Sequence, residues 1–409
     1  MRETTARAAG RRAAIALATA GGGLAGWAAL ADPHWLERHV LGSYCPTNLP
    51  LWAVARGLRF AAAALGALAV LVLAPALARR LRRASLRGAA FSLAGLAIAI
   101  AAALLVSELA MRRQYARLAL GGGPDAGQRR DRPLVRVDPR LGWSHVPGRT
   151  TWVEQGGRRI SYAIDAAGDR AASPEETADP VRPTLLFAGE SIAFGWGLLH
   201  EETFPFLVGR DLGMQAVNLA VVGYGNDQAH LRVLDALERY RRPVAVVTLF
   251  VPSQIRRNVD IWRSRLALGP DGALGVVPPS SGPRIAKLLQ LLPYHGDDAL
   301  RVTAAVLRAT AEAARARGAF PLFVVTNYGS ACLDEDGEAW IFEELFVRQA
   351  LPFVRVDLYP EDLLPGLFER HPGPRGARKI AAAVERALAD QLAGKEGPTG
   401  RPITDRAPR

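Results

Sequence analysis

Three apolar runs in the first third of the chain constrain its folding more than any other feature. They extend over Ala13–Ala31, Leu58–Ala78 and Ala89–Ala110 of the 409-residue sequence. About 20 apolar residues suffice for a helix to cross the hydrocarbon layer of a membrane. We therefore predict about three transmembrane helices within residues 1–118. The first run is interrupted by three consecutive glycines, Gly21, Gly22 and Gly23, and ends in Ala-Leu-Ala, which also suits a cleaved signal peptide, so that alternative stays open.

The positive charge of the chain is concentrated in the same region. The formal net charge is +12, and residues 1–132 hold 18 basic and 6 acidic side chains, whereas residues 133–409 hold 33 of each. A nucleic-acid-binding domain needs its surplus on a folded surface, so nucleic acid is not an expected partner. The expected partner is the lipid bilayer.

The arginines also predict an orientation in the membrane. They cluster before the first apolar run and in the short loop at 79–87, and positive residues are retained on the cytoplasmic side. Everything after Ala110 then lies outside the cytoplasm. We expect a multi-pass protein of the inner or plasma membrane whose large domain is extracytoplasmic.

Composition divides the exported part into four segments. Residues 119–134 are rich in glycine and arginine and predict a tether, and residues 135–182 alternate short β-type stretches with turns and predict a small β preamble. Residues 183–393 suffice for one α/β domain. Residues 394–409 are rich in Pro, Gly and Arg, and a disordered tail is expected there.

Residues 183–393 alternate apolar strand-like runs with helical periods. The predicted strands are Thr184–Ala188, Ala216–Ala220, Val244–Val251, Ala319–Thr326 and Phe353–Leu358. The predicted helices are Glu202–Leu212, Gln228–Arg241, Ala299–Arg317, Ala339–Ala350 and Arg375–Ala393. This alternation predicts an α/β fold with a doubly wound parallel sheet and an active site beyond the carboxyl ends of its strands. Val259–Asp298 interrupts the pattern and is expected to be a surface excursion over that end.

Two residues at this edge have the chemistry of a nucleophile and its base. Ser191 follows the first strand, with glycines before and after it, and His371 lies between the last strand and the closing helix. A serine hydroxyl needs a base to take its proton, and Glu369 could hold the far nitrogen of the imidazole. The alternative for Ser191 is a helix cap.

The motifs around these residues resemble those of the SGNH/GDSL hydrolases. Residues 189–197 are similar to block I, and residues 218–225 are similar to block II, whose oxyanion-hole glycine would be Gly223. His371, with Gly376 five residues later, resembles block V. The resemblance implies a flavodoxin-like sheet and ester cleavage through an acyl-enzyme, without a metal or organic cofactor.

The chain departs from the family pattern at three places. Glu190 stands where block I has Asp, and Ser253 stands where block III has the asparagine that donates to the oxyanion. Ser253, or Gln254 beside it, would have to donate instead, and one lost donor costs about 2.7 to 4 kcal/mol of transition-state stabilisation. The block V acid is usually three residues before the histidine, where this chain has Phe368; Glu369 is two before, and Asp357 is the other candidate.

Three functions are compatible with this pattern. The first is a membrane-anchored extracytoplasmic serine esterase or deacylase that acts on acylated glycans or lipids. The second is an O-acyltransferase of the same fold, in which a sugar hydroxyl replaces water as the acceptor. The third is a catalytically silent binding module, which the altered block III favours.

The preamble sequence Asp138–Trp143 is also similar to the segment that precedes such domains in membrane-tethered bacterial members of the SGNH/GDSL family.

Overall fold

A computed structural model describes residues 2–30, 49–83, 133–155, 157–260, 263–279, 296–326, 335–365 and 371–393, together with the helical residues 95, 98, 101–102, 105–106 and 108–109. The described residues belong to two compact units, one made of the N-terminal helices and one containing the residues from 133 onwards.

The N-terminal unit contains helix α1 (Arg2–Leu30), helix α2 (Leu49–Leu68), a π-helical turn (Ala69–Leu73) and helix α3 (Ala74–Arg83). Among the described residues, one helical stretch, Arg59–Arg79, is long and apolar enough to cross a membrane, with a mean hydropathy of 2.4. Ala14–Leu30 is a shorter apolar helix. One or two helices could therefore cross a membrane. Most of the third predicted span lies outside the described residues.

Helices α1 and α2 meet at a pair of glycines. A Cβ on Gly66 would lie 2.6 Å from the carbonyl oxygen of Gly21, and a Cβ on Gly21 would lie 2.7 Å from the Cβ of Ala69. Small residues allow two helix backbones to approach this closely. Arg59 Nε donates to the carbonyl oxygen of Ala28 at 3.0 Å, near the end of α1. The glycines that interrupt the first apolar run thus include one that makes a helix contact.

An eight-stranded sheet forms the centre of the second unit. Its strands are β3 (Arg149–Gln155), β4 (Arg158–Ile164), β5 (Arg170–Ala171), β6 (Thr184–Ala188), β7 (Gln215–Asn218), β8 (Pro243–Phe250), β11 (Phe320–Thr326) and β12 (Phe353–Val356). Their order across the sheet is β12-β11-β8-β6-β7-β5-β4-β3. Strands β12, β11, β8, β6 and β7 pair in parallel. In chain order these five have the 2-1-3-4-5 arrangement of flavodoxin-like sheets, which confirms the predicted fold class.

Helices cover both faces of this sheet. They are α4 (Ser191–Phe194), α5 (Phe204–Asp211), α6 (Asn226–Arg239), α7 (Ser253–Arg257), α8 (Gly296–Ala316), α9 (Glu335–Phe342, followed by a π-helical turn at Glu343–Val347) and α10 (Pro374–Leu392). Leu185 and Phe187 of β6 pack in the core cluster that includes α5 and α10, whereas Leu186 and Ala188 pack with α6. A strand that is buried on both faces in this way appears in the sequence as a continuous apolar run.

The β preamble contributes to the same sheet. Strands β3, β4 and β5 pair in antiparallel fashion, and β5 joins β7 through Arg170 and Asn218. Before them, β1 (Val135–Asp138) and β2 (Gly142–His145) form a separate hairpin. The preamble therefore extends the central sheet beyond β7.

The interruption predicted at Val259–Asp298 contains a second hairpin, with β9 (Arg265–Leu268) paired to β10 (Leu274–Val277). Leu266 of β9 packs with Tyr224 and Leu231 in a small core cluster. Part of this interruption, residues 280–295, lies outside the described residues.

Candidate active site

Ser191 is the first residue of α4, directly beyond the carboxyl end of β6. The turn between strand and helix requires Gly189, whose φ is +147°. A Cβ there would lie 3.0 Å from the Cβ of Leu249 and 3.1 Å from that of Ala193. Asn218 of β7 supports the turn because its Nδ2 donates to the carbonyl oxygen of Ala193 at 2.9 Å. The close packing holds Ser191 in one place.

Glu190 immediately precedes Ser191, and its carboxylate is buried. Its Oε1 accepts from the Ile192 N–H at 2.9 Å, which caps α4, and its Oε2 accepts from Ser191 Oγ at 2.5 Å. Arg257 Nη1 lies 3.4 Å from the same Oε2. Burial opposes ionisation, but the charges of Arg257 and His371 outweigh it and lower the pKa of Glu190.

The loop that carries His371 is held by backbone contacts. The carbonyl oxygen of His371 accepts from the Leu364 N–H at 2.8 Å, and Leu363 forms a β-bridge with Pro372. The Gly373 N–H donates to the carbonyl oxygen of Asp362 at 2.8 Å. These contacts place the imidazole at the carboxyl edge of the sheet.

The two predicted reacting residues lie together. His371 Nε2 is 2.7 Å from Ser191 Oγ, although 180 residues separate them along the chain. A base within hydrogen-bond reach of a hydroxyl can take its proton during attack. Ser191 is 6% exposed, so most of its surface is shielded from water.

The acid of the predicted triad stays a prediction. Glu369 lies outside the described residues. The other candidate, Asp357, accepts from Arg355 Nε at 2.9 Å, which gives its carboxylate a role at the end of β12. Asp362 is buried and pairs with Arg375 at 3.1 Å and Lys379 at 3.3 Å. Among the described carboxylates, the one that contacts Ser191 is Glu190.

The three predicted oxyanion donors occupy two loops. Gly223 lies in the turn after β7 with a φ of +83°. Ser253 begins α7, and its buried Oγ has no hydrogen-bond partner among the described residues. Gln254 Oε1 accepts from the Val251 N–H at 2.9 Å and from Asn226 Nδ2 at 3.2 Å. Its Nε2 is buried and, within the described residues, has no partner, so it stays a predicted donor.

Two arginines near these loops escaped the sequence analysis. Arg257 Nη1 donates to the carbonyl oxygen of Tyr224 at 2.9 Å as well as pairing with Glu190. Arg263 donates to the carbonyl oxygen of Gly223 and lies 4.8 Å from the centroid of the Trp143 ring. Burial, followed by the neighbouring charge of Arg257, lowers the pKa of Arg263 to about 10. The signal that could have revealed Arg257 is its position in a basic pair directly after the third parallel strand.

Gln228 has a structural role at the same place. Its Oε1 accepts from the Gly225 N–H at 3.2 Å and from Arg263 Nη2 at 2.5 Å, and its Nε2 donates to the carbonyl oxygen of Leu141 at 2.6 Å. These bonds tie the turn after β7 to the preamble.

Residues of the preamble strands also support the loop that follows α4. Tyr162 Oη accepts from the Gly197 N–H at 2.8 Å, and its ring stacks on Trp196 with centroids 5.3 Å apart. Arg170 is buried, lies 4.6 Å from the centroid of the Tyr162 ring, and donates to the carbonyl oxygen of Leu198 at 2.7 Å. Strands β4 and β5 therefore support the loop that follows α4, the helix that begins at Ser191.

No protein-family model and no curated protein sequence matches the chain. Among solved structures, it is similar to a protein from Desulfitobacterium hafniense DCB-2 described as lipolytic and of the G-D-S-L family, with 12% identity and a TM-score of 0.32 over 50% of this chain and 98% of that one. It is similar to an acetyl xylan esterase from the rumen bacterium Butyrivibrio proteoclasticus, with 12% identity and a TM-score of 0.31 over 53% and 66%. A mutant of the esterase AlinE4 has 15% identity and a TM-score of 0.29 over 53% and 98%. These values are low, so the interpretation of the site rests on its own geometry.

Proposed function

We propose that the chain is a membrane-anchored serine esterase in which Ser191 is the nucleophile and His371 is the general base. The observation that carries the proposal is the 2.7 Å contact between Ser191 Oγ and His371 Nε2. The contact lies at the carboxyl edge of a doubly wound sheet, where sites of this fold class occur. No cofactor is needed for this chemistry.

The reaction has two halves that use the same residues. Ser191 Oγ attacks the ester carbonyl carbon while its proton moves to His371 Nε2, and the carbonyl electron pair moves to the oxygen. Collapse of this intermediate expels the alcohol, which takes the proton from His371. Water then attacks the acyl-serine with His371 as base, and Ser191 regains its proton as the acid leaves. The backbone N–H groups of Ser191 and Gly223, with Ser253 or Gln254, are the proposed oxyanion donors.

The proposed setting is the outer face of the cytoplasmic membrane. The apolar helix Arg59–Arg79 and the arginine-rich segments of the first third support a multi-pass anchor with the catalytic unit outside. Esters in that compartment include acylated glycans and lipids, and these are the proposed substrates.

The test compares full-length protein in detergent with Ser191→Ala and His371→Ala, using p-nitrophenyl acetate. We expect each change to lower turnover by roughly four to six orders of magnitude, because both residues act in one unit. A fluorophosphonate probe should label the wild type and leave Ser191→Ala unlabelled. A folded wild type that neither turns over nor labels would contradict the esterase and favour a silent module. Transfer of the acetyl group to an added sugar in preference to water would favour the acyltransferase.

A further inference from the structure

Ser191 Oγ lies between two hydrogen-bond acceptors. Glu190 Oε2 is 2.5 Å away on one side, and His371 Nε2 is 2.7 Å away on the other. A hydroxyl has one proton and can donate it to one acceptor at a time. If the proton points to Glu190, the contact with His371 requires the imidazole to donate to Oγ. Once His371 is protonated, a carboxylate, a hydroxyl and an imidazolium lie in a row.

We propose that Glu190 is a catalytic residue whose carboxylate stabilises the imidazolium form of His371 across the Ser191 hydroxyl, and that Arg257 is the positioning residue that holds this carboxylate and limits its effect. The proposal rests on the esterase function described above. It assigns to Glu190 an electrostatic part in the reaction in addition to capping α4.

The negative charge of Glu190 favours one step of the reaction, the proton transfer from Ser191 to His371. His371 becomes positive when it takes the proton of Ser191, and a carboxylate within a few ångströms favours that form. Glu190 gains no proton in this step. Ser191 Oγ no longer has a hydrogen to donate, so Glu190 loses this contact. The Ile192 N–H at 2.9 Å and Arg257 at 3.4 Å remain to hold the carboxylate in place.

The positive charge of Arg257 has the opposite effect on His371 to that of the Glu190 carboxylate. Its guanidinium is fixed by the carbonyl oxygen of Tyr224 at 2.9 Å, so it stays beside Glu190. A positive charge at this position disfavours a second positive charge on the imidazole. The charged groups that face Glu190 among the described residues are Arg257 of α7 and His371 of the loop before α10.

A purely structural role for Glu190 makes a different prediction. As a cap, Glu190 needs Oε1 to accept from the Ile192 N–H. Glutamine retains that acceptor and removes the charge, so Glu190→Gln separates capping from electrostatics. Arg257→Gln leaves the cap intact. Two controls are available: Arg256→Gln changes the exposed neighbour of Arg257 in α7, and Glu202→Gln changes a carboxylate that accepts from the Leu199 N–H at 2.9 Å, away from the nucleophile.

The experiment is an NMR titration of the histidine rings in the full-length protein in detergent, with the His371 resonance identified by its loss in His371→Asn. We expect Glu190→Gln to lower the titration midpoint of this ring by about one pH unit and to slow turnover of p-nitrophenyl acetate about tenfold to a hundredfold. Arg257→Gln should raise the midpoint by roughly half a unit or more. Both controls should leave it unchanged.

The outcomes separate this proposal from the esterase function. Unchanged midpoints in Glu190→Gln and Arg257→Gln would overturn the proposal even if Ser191→Ala abolishes turnover. Opposite shifts in a protein without turnover would support the electrostatic coupling and contradict the esterase. Should Glu190→Gln fail to fold, Arg257→Gln still decides the question, because an unmoved or lowered midpoint there overturns the proposal.

Discussion

Two buried carboxylates in the second unit have arginine partners but different surroundings. Asp169 pairs with Arg232 and, at 2.7 Å, with Arg239, both from α6. Glu190 pairs with a single arginine, Arg257, at 3.4 Å. Every contact that the structure shows for the Asp169 side chain is to an arginine, whereas Glu190 also contacts Ser191, the proposed nucleophile. The same pair of ion types therefore contacts only structural partners in one place and the proposed nucleophile in the other.

The pKa shifts of the two groups differ in sign. Burial raises the pKa of Asp169, and the two arginines offset this only in part. The pKa of Glu190 is lowered despite burial, because Arg257 and His371 attract the ionised form and hydrogen bonds from Ser191 and the Ile192 N–H add to them. A carboxylate beside a nucleophile thus stays ionised where burial alone would favour its neutral form.

Removing the charge of Asp169 should have the largest effect on stability. Asp169→Asn leaves two guanidinium groups without their shared partner, so we expect a loss of about 3 to 5 kcal/mol of unfolding free energy. Denaturation of the detergent-solubilised protein, monitored by tryptophan fluorescence, measures it. Glu190→Gln should cost about 1 kcal/mol or less, because the helix cap remains. Equal losses in the two variants would refute the distinction between the carboxylates.

The glycines that precede the two carboxylates provide the next test. Both have positive φ, +83° at Gly168 and +147° at Gly189. A Cβ on Gly168 would meet one atom, Pro147 Cγ at 4.0 Å, whereas Gly189 is closely surrounded. We expect Gly168→Ala to cost about 1 to 2 kcal/mol of stability from backbone strain alone. Gly189→Ala should cost about 3 kcal/mol and also displace Ser191, lowering turnover. The same denaturation and turnover assays apply, and equal turnover in the two variants would contradict this reading.

Two buried histidines predict how the stability of the second unit depends on pH. Burial lowers the pKa of His230 to about 4 and that of His145 to about 3, against about 6.5 in an unfolded chain. A lowered pKa contributes stability that is complete above pH 6.5 and is lost as pH falls towards the folded value. Lowering the pH from 7 to 5 should therefore reduce the unfolding free energy by about 2 kcal/mol for each histidine. His230→Gln can still bond Thr310, the partner of His230 at 2.9 Å, and should remove about 2 kcal/mol of this loss in denaturation at the two pH values. An unchanged pH dependence would contradict this expectation, because it would show that His230 has the same pKa in the folded and unfolded states.

An exposed pair of the same ions should contribute least. Arg140 and Asp235 form a salt bridge with side chains that are 46% and 45% exposed. Water and salt screen such pairs, so Arg140→Gln should change the unfolding free energy by about 0.5 kcal/mol or less. A loss comparable to that of Asp169→Asn would mean that burial is not what separates these pairs.

Much of the central sheet is predictable because its strands are buried on both faces. The predicted Thr184–Ala188 matches β6, and Phe353–Leu358 begins where β12 begins. Such strands appear as apolar runs between turn residues. The pairing of the preamble with β7 is different, since it depends on one residue pair, Arg170 and Asn218. No local pattern in the sequence specifies that contact.

The candidate site also has a part that the sequence predicts and a part that it does not. Ser191 and His371 were predictable because each follows a strand end and carries a recognisable chemistry, and the structure brings them to 2.7 Å. The contact between Glu190 and Arg257 joins residues 67 positions apart and depends on how α7 packs. Long-range polar contacts of this kind depend on tertiary structure, so sequence spacing does not reveal them.

The bonds from Tyr162 and Arg170 to the loop after α4 have an evolutionary consequence. A recombination event that exchanged residues 183–393 alone would leave the backbone of Gly197 and Leu198 without these partners. We therefore expect the preamble and the α/β fold to be inherited together, and gene fusions that keep these bonds should have their breakpoints before the preamble.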